Sequence, residues 1–157
     1  MNFKTNISLR LSASIYLVAL SALISSCTFS AKPIYFDKEI SVAEGAASRF
    51  HELHNQQDFS AIYDLLDKQA HPGAAESVLS EIKANYDKLG RSVETRLVEK
   101  KAFPSPGVGY TSQVKLAFET KFERGVWTEF FAWNIRDSSQ AVLVEYFVEP
   151  KTATPNR

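Results

Sequence analysis

Between Tyr110 and Asp137 the chain alternates between apolar and polar residues. Tyr110, Val114, Leu116, Phe118 and Phe122 fall on one side, and Thr111, Gln113, Lys115, Glu119 and Lys121 on the other. That is the period of a strand with one buried face. Taking Arg124-Gly125 as a two-residue turn gives a hairpin in which Phe122 faces Trp127, Thr120 faces Glu129, Phe118 faces Phe131, Leu116 faces Trp133 and Val114 faces Ile135. The opposite face carries Lys115, Ala117, Glu119 and Lys121 against Asn134, Ala132, Phe130 and Thr128. Two residues break the pattern: Phe130 is aromatic on the polar face, and Glu129 is a carboxylate on the apolar one.

Ahead of this hairpin the period is helical. Ser41-Val42-Ala43-Glu44 fits a capping box, followed by Val42, Ala46, Phe50 and Leu53 as a stripe that ends at Asn55-Gln56-Gln57. Asp58 predicts a cap for a second helix with Phe59, Ile62, Tyr63 and Leu66 on one side, stopped near Ala70-His71-Pro72-Gly73. A third helix follows with Val78, Ile82, Tyr86 and Leu89, and Gly90 is placed for a left-handed C-terminal cap. Arg91 to Phe103 reads as the first strand, with Val93, Thr95 and Leu97 on one side, and Pro104-Ser105-Pro106-Gly107 as its turn. The last strand, Ala141 to Val148, follows a two-residue loop at Ser138-Ser139 that sets Val142 opposite Ile135, Val144 opposite Trp133 and Tyr146 opposite Phe131. Helices first and an antiparallel meander after them predict an α+β domain. Three N-terminal helices would pack on one face of a curved four-stranded antiparallel sheet.

The first residues depart from both periods. Lys4 and Arg10 precede an apolar run from Leu11 to Ile24, which is shorter than the ~20 residues needed to span a bilayer and has the layout of a secretory signal. The run ends in Leu23-Ile24-Ser25-Ser26-Cys27, which resembles the bacterial lipoprotein signal, where an aliphatic and two small residues precede an invariant cysteine. The resemblance implies cleavage before Cys27, a diacylglyceryl thioether on its sulfur and an acylated amino group. Thr28, in place of Asp, implies sorting to the outer membrane, with the protein on its periplasmic side. Cys27 is the only cysteine, so lipidation also accounts for a thiol that an exported protein would otherwise carry unpaired. More than one acyl chain makes the anchoring stable. The expected organisation is a signal peptide over 1–26, a lipidated cysteine and tether over 27–40, a domain over 41–149 and a flexible tail over 150–157.

Length and charge narrow the function classes. The 157 residues suffice for one domain. Removing Lys4 and Arg10 from 18 basic residues leaves 16 against 18 acidic ones. The mature chain is near neutral and has no basic patch to argue for nucleic acid. No nucleophile elbow or phosphate loop is present, and no cofactor is expected.

The order of elements, the Asn55-Gln56-Gln57-Asp58-Phe59 joint, the Lys88-Leu89-Gly90 helix end and the stretch from Gly125 to Glu129-Phe130-Phe131 resemble the nuclear transport factor 2-like, cystatin-like superfamily. Within it they look like small exported bacterial members of unknown function. The resemblance spans roughly Ser41 to Val148 and implies a cone-shaped half-barrel. In some members of that superfamily the cone binds small apolar molecules or carries catalysis, and in many it is filled or used for dimerisation. None of its catalytic motifs can be matched to positions here.

Candidate chemistry centres on Glu129. Among Phe122, Trp127 and Phe131 its pKa would rise, as a general acid or base requires; alternatively it reaches water or bonds Thr120 near the strand end. His51 and His54 stand three apart on the first helix, a spacing able to put two imidazoles on one metal. No third ligand is visible, and two surface histidines are the simpler expectation. His71 lies in the Pro-Gly loop without support. Tyr63, Tyr86, Tyr110, Phe118, Phe131, Trp133 and Tyr146 either line a ligand cavity or fill it. Phe130, beside Ala117 and Ala132, marks a modest patch for a partner or a second copy. The expected function is a non-catalytic module that binds an envelope protein or a small apolar ligand, with a small hydrolase or isomerase built on Glu129 as the alternative.

Overall fold

The computed structural model of the chain describes residues 36–69, 73–105, 107–137 and 139–151. The signal region, Cys27, most of the tether, His71 and the last six residues lie outside these. Three helices, α1 (Asp37–Gln56), α2 (Phe59–Leu65) and α3 (Ala74–Leu89), precede four strands, β1 (Ser92–Pro104), β2 (Ser112–Phe122), β3 (Gly125–Arg136) and β4 (Gln140–Pro150). The strands form one antiparallel sheet in the order β1-β2-β3-β4. The α+β class and the meander are therefore as the periodicity predicts.

Helix α1 starts earlier than its sequence signal. Ser41 and Glu44 lie inside the helix, so the Ser41-Glu44 capping box does not form. Phe36 is the N-cap, without a side-chain bond, and Asp37 and Glu39 occupy the first turn, where acids oppose the positive end of the helix dipole. Residues 37–40, expected in the tether, are thus helical. Glu44 instead accepts from Lys100 Nζ at 3.0 Å and ties α1 to β1. The buried stripe is also rotated from expectation: Ala43, Ala47, Phe50, His51, Leu53 and His54 are buried, whereas Val42 and Ala46 are only partly so. Small side chains at Ala43 and Ala47 let the helix approach the core closely, and this draws the next positions on that side, His51 and His54, inward.

The Asp58 cap holds, whereas α2 ends at Leu65, ahead of the expected stop near Ala70-His71-Pro72-Gly73, and the Gly90 cap holds in part. Asp58 Oδ1 accepts from the Ala61 N–H at 3.0 Å. Gly90 has φ +80° and ψ −157°, and its N–H closes α3 on Tyr86 O. The positive φ is as expected, but the ψ is extended and not left-handed helical. Ile62, Leu66, Ile82 and Leu89 are buried at the predicted spacing.

In the central hairpin the face assignment holds and the register does not. Phe122 pairs with Gly125, Thr120 with Trp127, Phe118 with Glu129, Leu116 with Phe131 and Val114 with Trp133. The turn is Glu123-Arg124, displaced from Arg124-Gly125. Moving the turn by one residue shifts the cross-strand pairing by two, so every side chain stays on its predicted side. The reason lies outside the hairpin. The Glu123 N–H donates to Arg91 O at 3.0 Å and the Arg124 N–H to Leu89 O at 3.1 Å, while the Arg124 guanidinium donates to Asp87 O. The joint between α3 and β1 thus sets where the hairpin turns. Trp127 is half-buried, with Lys88 Nζ 4.5 Å from its ring centre, and Trp133 is fully buried.

β4 pairs Tyr146 with Phe131 as expected, but a bulge at Ala132/Trp133 shifts the remainder. Trp133 meets Leu143 and Asn134 meets Val142, so Leu143 enters the core in place of Val144. The Leu143 carbonyl also accepts from the Asp67 N–H at 2.8 Å. β1 is an edge strand with Val93 63% and Val98 47% exposed. Two irregularities in its pairing with β2, together with Lys100 and Lys101, blunt an edge that would otherwise invite further strands. The core gathers Phe50, Leu53, Ile62, Ile82, Phe131, Trp133, Ile135, Leu143 and Tyr146 between the helices and β2–β4.

Candidate functional site

The alternation of β3 aims Glu129 at the core, where its residue is 0% exposed. Three donors converge on it from three elements. His51 of α1 lies 2.9 Å from Oε2 through Nε2. Tyr146 of β4 donates its hydroxyl to Oε1 at 2.9 Å, and Thr120 of β2 donates to Oε2. Thr120 and Tyr146 can both reach because each sits diagonally across from Glu129, whose direct neighbours are Phe118 and Val148.

Burial raises the Glu129 pKa, but the His51 hydrogen bond and ring charge together with the Thr120 and Tyr146 hydroxyls outweigh it, so the carboxyl titrates below its ordinary range. This reverses the expected upward shift. A carboxylate satisfied by three donors favours its charged form. Burial, and then the neighbouring Glu129 charge, hold the Tyr146 phenol well above its usual value, so it remains a donor.

An ionised carboxylate can only accept, so His51 Nε2 carries a proton whatever the charge of the ring. The other ring nitrogen, Nδ1, has no hydrogen-bond partner among the described residues and is not among the buried unpartnered atoms. The ring itself is clasped edge-on by Phe50, Phe118 and Phe131 at centroid distances of 5.5–5.9 Å. The side chain is 10% exposed, and it borders a groove of about 370 Å³ between α1 and the start of β1.

Glu44, Ser48, His51, Glu52 and Asn55 line that groove from α1. Ser92, Val93, Glu94, Thr95 and Leu97 line it from β1, and Phe118 from β2. Asn55 fixes one end. Its Oδ1 accepts from the Ser92 N–H at 2.8 Å and the Ser92 hydroxyl at 3.1 Å, and its Nδ2 donates to Ser92 O at 2.9 Å. The amide thereby pairs with an edge-strand backbone as another strand would. Asn55→Ala is expected to cost about 2 kcal/mol, since it leaves two half-buried backbone groups unpaired. Urea unfolding measures the loss, and hydrogen exchange at the Ser92 amide locates it.

The other predicted site residues fall as follows. His51 and His54 are not surface histidines. His54 is 1% exposed, stacked 5.7 Å from Phe50 and edge-on to Tyr86, and neither ring nitrogen has a partner. Burial lowers its pKa to about 4; Glu129 opposes that shift and His51 adds to it. Among the described residues no group of three or more His, Cys, Asp or Glu is placed to hold a metal ion. Of the seven aromatics expected to line or fill a cavity, Phe118 borders the groove. Phe131, Trp133 and Tyr146 are packed in the core with Phe50. Tyr63 donates to Glu76 at 2.7 Å, Tyr86 accepts from Gln57 at 2.8 Å, and Tyr110 donates to Asp67 at 2.5 Å. Phe130 lies on the sheet's outer face, stacked 4.7 Å from Phe147. The apolar periodicity singles out neither Asn55 nor the groove's polar wall. Their signal is a second stripe, Glu44, Ser48, Glu52 and Asn55, at helical spacing beside the apolar one. The chain matches no protein-family model, no curated protein and no solved structure.

Proposed function

We propose that the protein is a lipid-anchored module of the bacterial envelope that binds a ligand or partner without transforming it, through the groove between α1 and β1. The anchoring rests on Leu23-Ile24-Ser25-Ser26-Cys27 and the two-chain physics of lipid attachment. Among the described residues no helix is long and apolar enough to cross a membrane. The binding half rests on one observation: aromatic side chains occupy the space beneath the helices, while a groove of about 370 Å³ with both polar and apolar walls stays open at the surface. An apolar molecule between the sheet and the helices would have to displace Phe50, Phe131, Trp133 or Tyr146. The groove instead suits a group with both polar and apolar parts. Three helices on one face of an antiparallel meander support a nuclear transport factor 2-like cone as the finer reading of the fold.

Growing cells with labelled palmitate tests the anchor. The chain is expected to take up label and to sediment with outer membranes, and Cys27→Ser to lose both. Unlabelled native chain would overturn the anchor.

A second reading has its own supporting observation, the pairing of His51 with Glu129 at the groove wall. Glu129 is sealed and its oxygens are occupied, so an acid–base enzyme here would act through His51 Nδ1, with Glu129 orienting the ring. The acid–base role that the strand pattern suggests for Glu129 passes, in this reading, to its partner.

A further inference from the structure

We infer that the outer face of the sheet is an interface between two copies of this chain, related by a two-fold axis that runs along β3. It concerns the side of the sheet away from the helices and does not depend on the groove. The strand register lays this face out in rows. One row reads Lys101, Lys115, Ala132 and Glu145 from β1 to β4, and the next reads Glu99, Ala117, Phe130 and Phe147. Ala117 and Ala132 floor an indentation of about 200 Å³. Phe130 and Phe147 stack beside it with ring centres 4.7 Å apart. Two large rings and two alanines thus form an apolar strip on a face that is otherwise polar, the mark of a contact surface.

The charges on either side of the strip identify the occupant. Lys101 is paired with Glu99, and Glu119 with Arg96 and Lys151. Lys115 and Glu145, both exposed, have no ion-pair partner among the described residues. Ala132 lies between them in the same row, so they flank β3 at one level with opposite sign. Lys115 also stands directly opposite Lys101, a like-charge neighbour that a carboxylate from outside would offset.

Rotation by 180° about β3 lays β3 on β3 and exchanges β2 with β4. Lys115 then meets the copy's Glu145 while Glu145 meets the copy's Lys115, the reciprocity that an isologous contact requires. In the next row Phe147 falls on the copy's Ala117, a large side chain on a small one, and Phe130 meets Phe130 at the axis. A patch that is its own complement in both charge and size selects a second copy over an unrelated protein. The area is adequate as well. Four strands about 4.8 Å apart, rising about 3.3 Å per residue over 11 residues, make a face on the order of 700 Å², close to the ~800 Å² per partner of a specific complex.

The test mixes equal amounts of 14N- and 15N-labelled full chain in detergent micelles at about 100 μM and adds a carbodiimide, which joins a carboxylate to an amine at ion-pair distance. The expected product is a covalent dimer in which Lys115 of one label is joined to Glu145 of the other. Lys115→Glu and Glu145→Lys are each expected to weaken association about tenfold or more in sedimentation equilibrium, because each turns two attractions into two repulsions. The double variant carrying both swaps is expected to restore it. Both positions are exposed, so all three variants are expected to fold normally, and circular dichroism checks that they do. Linkage of Lys115 to Glu145 within one label only, mixed-label links confined to other residues, or a monomer at this concentration overturns the inference. So does association that is indifferent to the single swaps or is not restored by the double one.

Discussion

Glu129→Ala loses about 3–5 kcal/mol of stability, the range for removing one partner of a buried charged cluster, and its urea midpoint falls by roughly 2 M. Trp133 and Trp127 supply the fluorescence signal. The loss comes less from the missing carboxylate than from what it leaves behind: the His51 N–H and the Thr120 and Tyr146 hydroxyls, all donors without an acceptor. Replacing Glu129 with Leu together with His51→Leu, Thr120→Val and Tyr146→Phe removes all three donors and is therefore expected to recover much of the loss. No recovery would mean that unpaired donors are not its cause. The pH dependence has a definite sign. Glu129 titrates below its ordinary range when folded, so its contribution is complete above that range and disappears as pH falls through the lowered folded value. The gap between wild type and Glu129→Ala accordingly narrows in acid.

His54→Leu gives the opposite result. The native ring is buried with both nitrogens unpartnered, a state that costs about 1–3 kcal/mol against an apolar side chain, so the variant is expected to be more stable at pH 7 by that amount. The larger effect is in acid. His54 titrates near 6.5 unfolded and near 4 folded, so between those values the unfolded chain binds the extra proton and stability rises with pH. The contribution is intact above 6.5 and is lost progressively down to about 4, amounting to about 3 kcal/mol. His54→Leu is expected to flatten this limb of the stability profile in thermal melts between pH 7 and 4. An unchanged limb would place the acid sensitivity on another group.

The two predictions separate neighbouring imidazoles that occupy successive positions on one side of α1. His51 has a carboxylate to donate to and an open groove beyond it; His54 has only rings around it. The first stands at the edge of a site and the second in the core. The sequence spacing that suggested a shared metal reflects a common helical face and nothing about a shared ligand.

Local pattern along the chain is enough to settle the set of elements, the order of the strands and which side of each central strand faces inward. These follow from local periodicity, and periodicity survives a register error of two residues, as Trp133, Phe131 and Glu129 show by remaining inside although their cross-strand partners moved. It also identified Glu129 as anomalous, because one carboxylate in an apolar row needs no partner to be noticed. Tertiary structure alone decided the rest. The hairpin turns where Leu89 and Arg91 offer carbonyls to Arg124 and Glu123. α1 rolls onto Ala43 and Ala47 because small residues permit the closest approach to the core. His51 thereby comes within hydrogen-bond reach of a residue 78 positions away. That contact spans helix and sheet, and its geometry depends on how two surfaces fit together, which no pattern along a single segment contains.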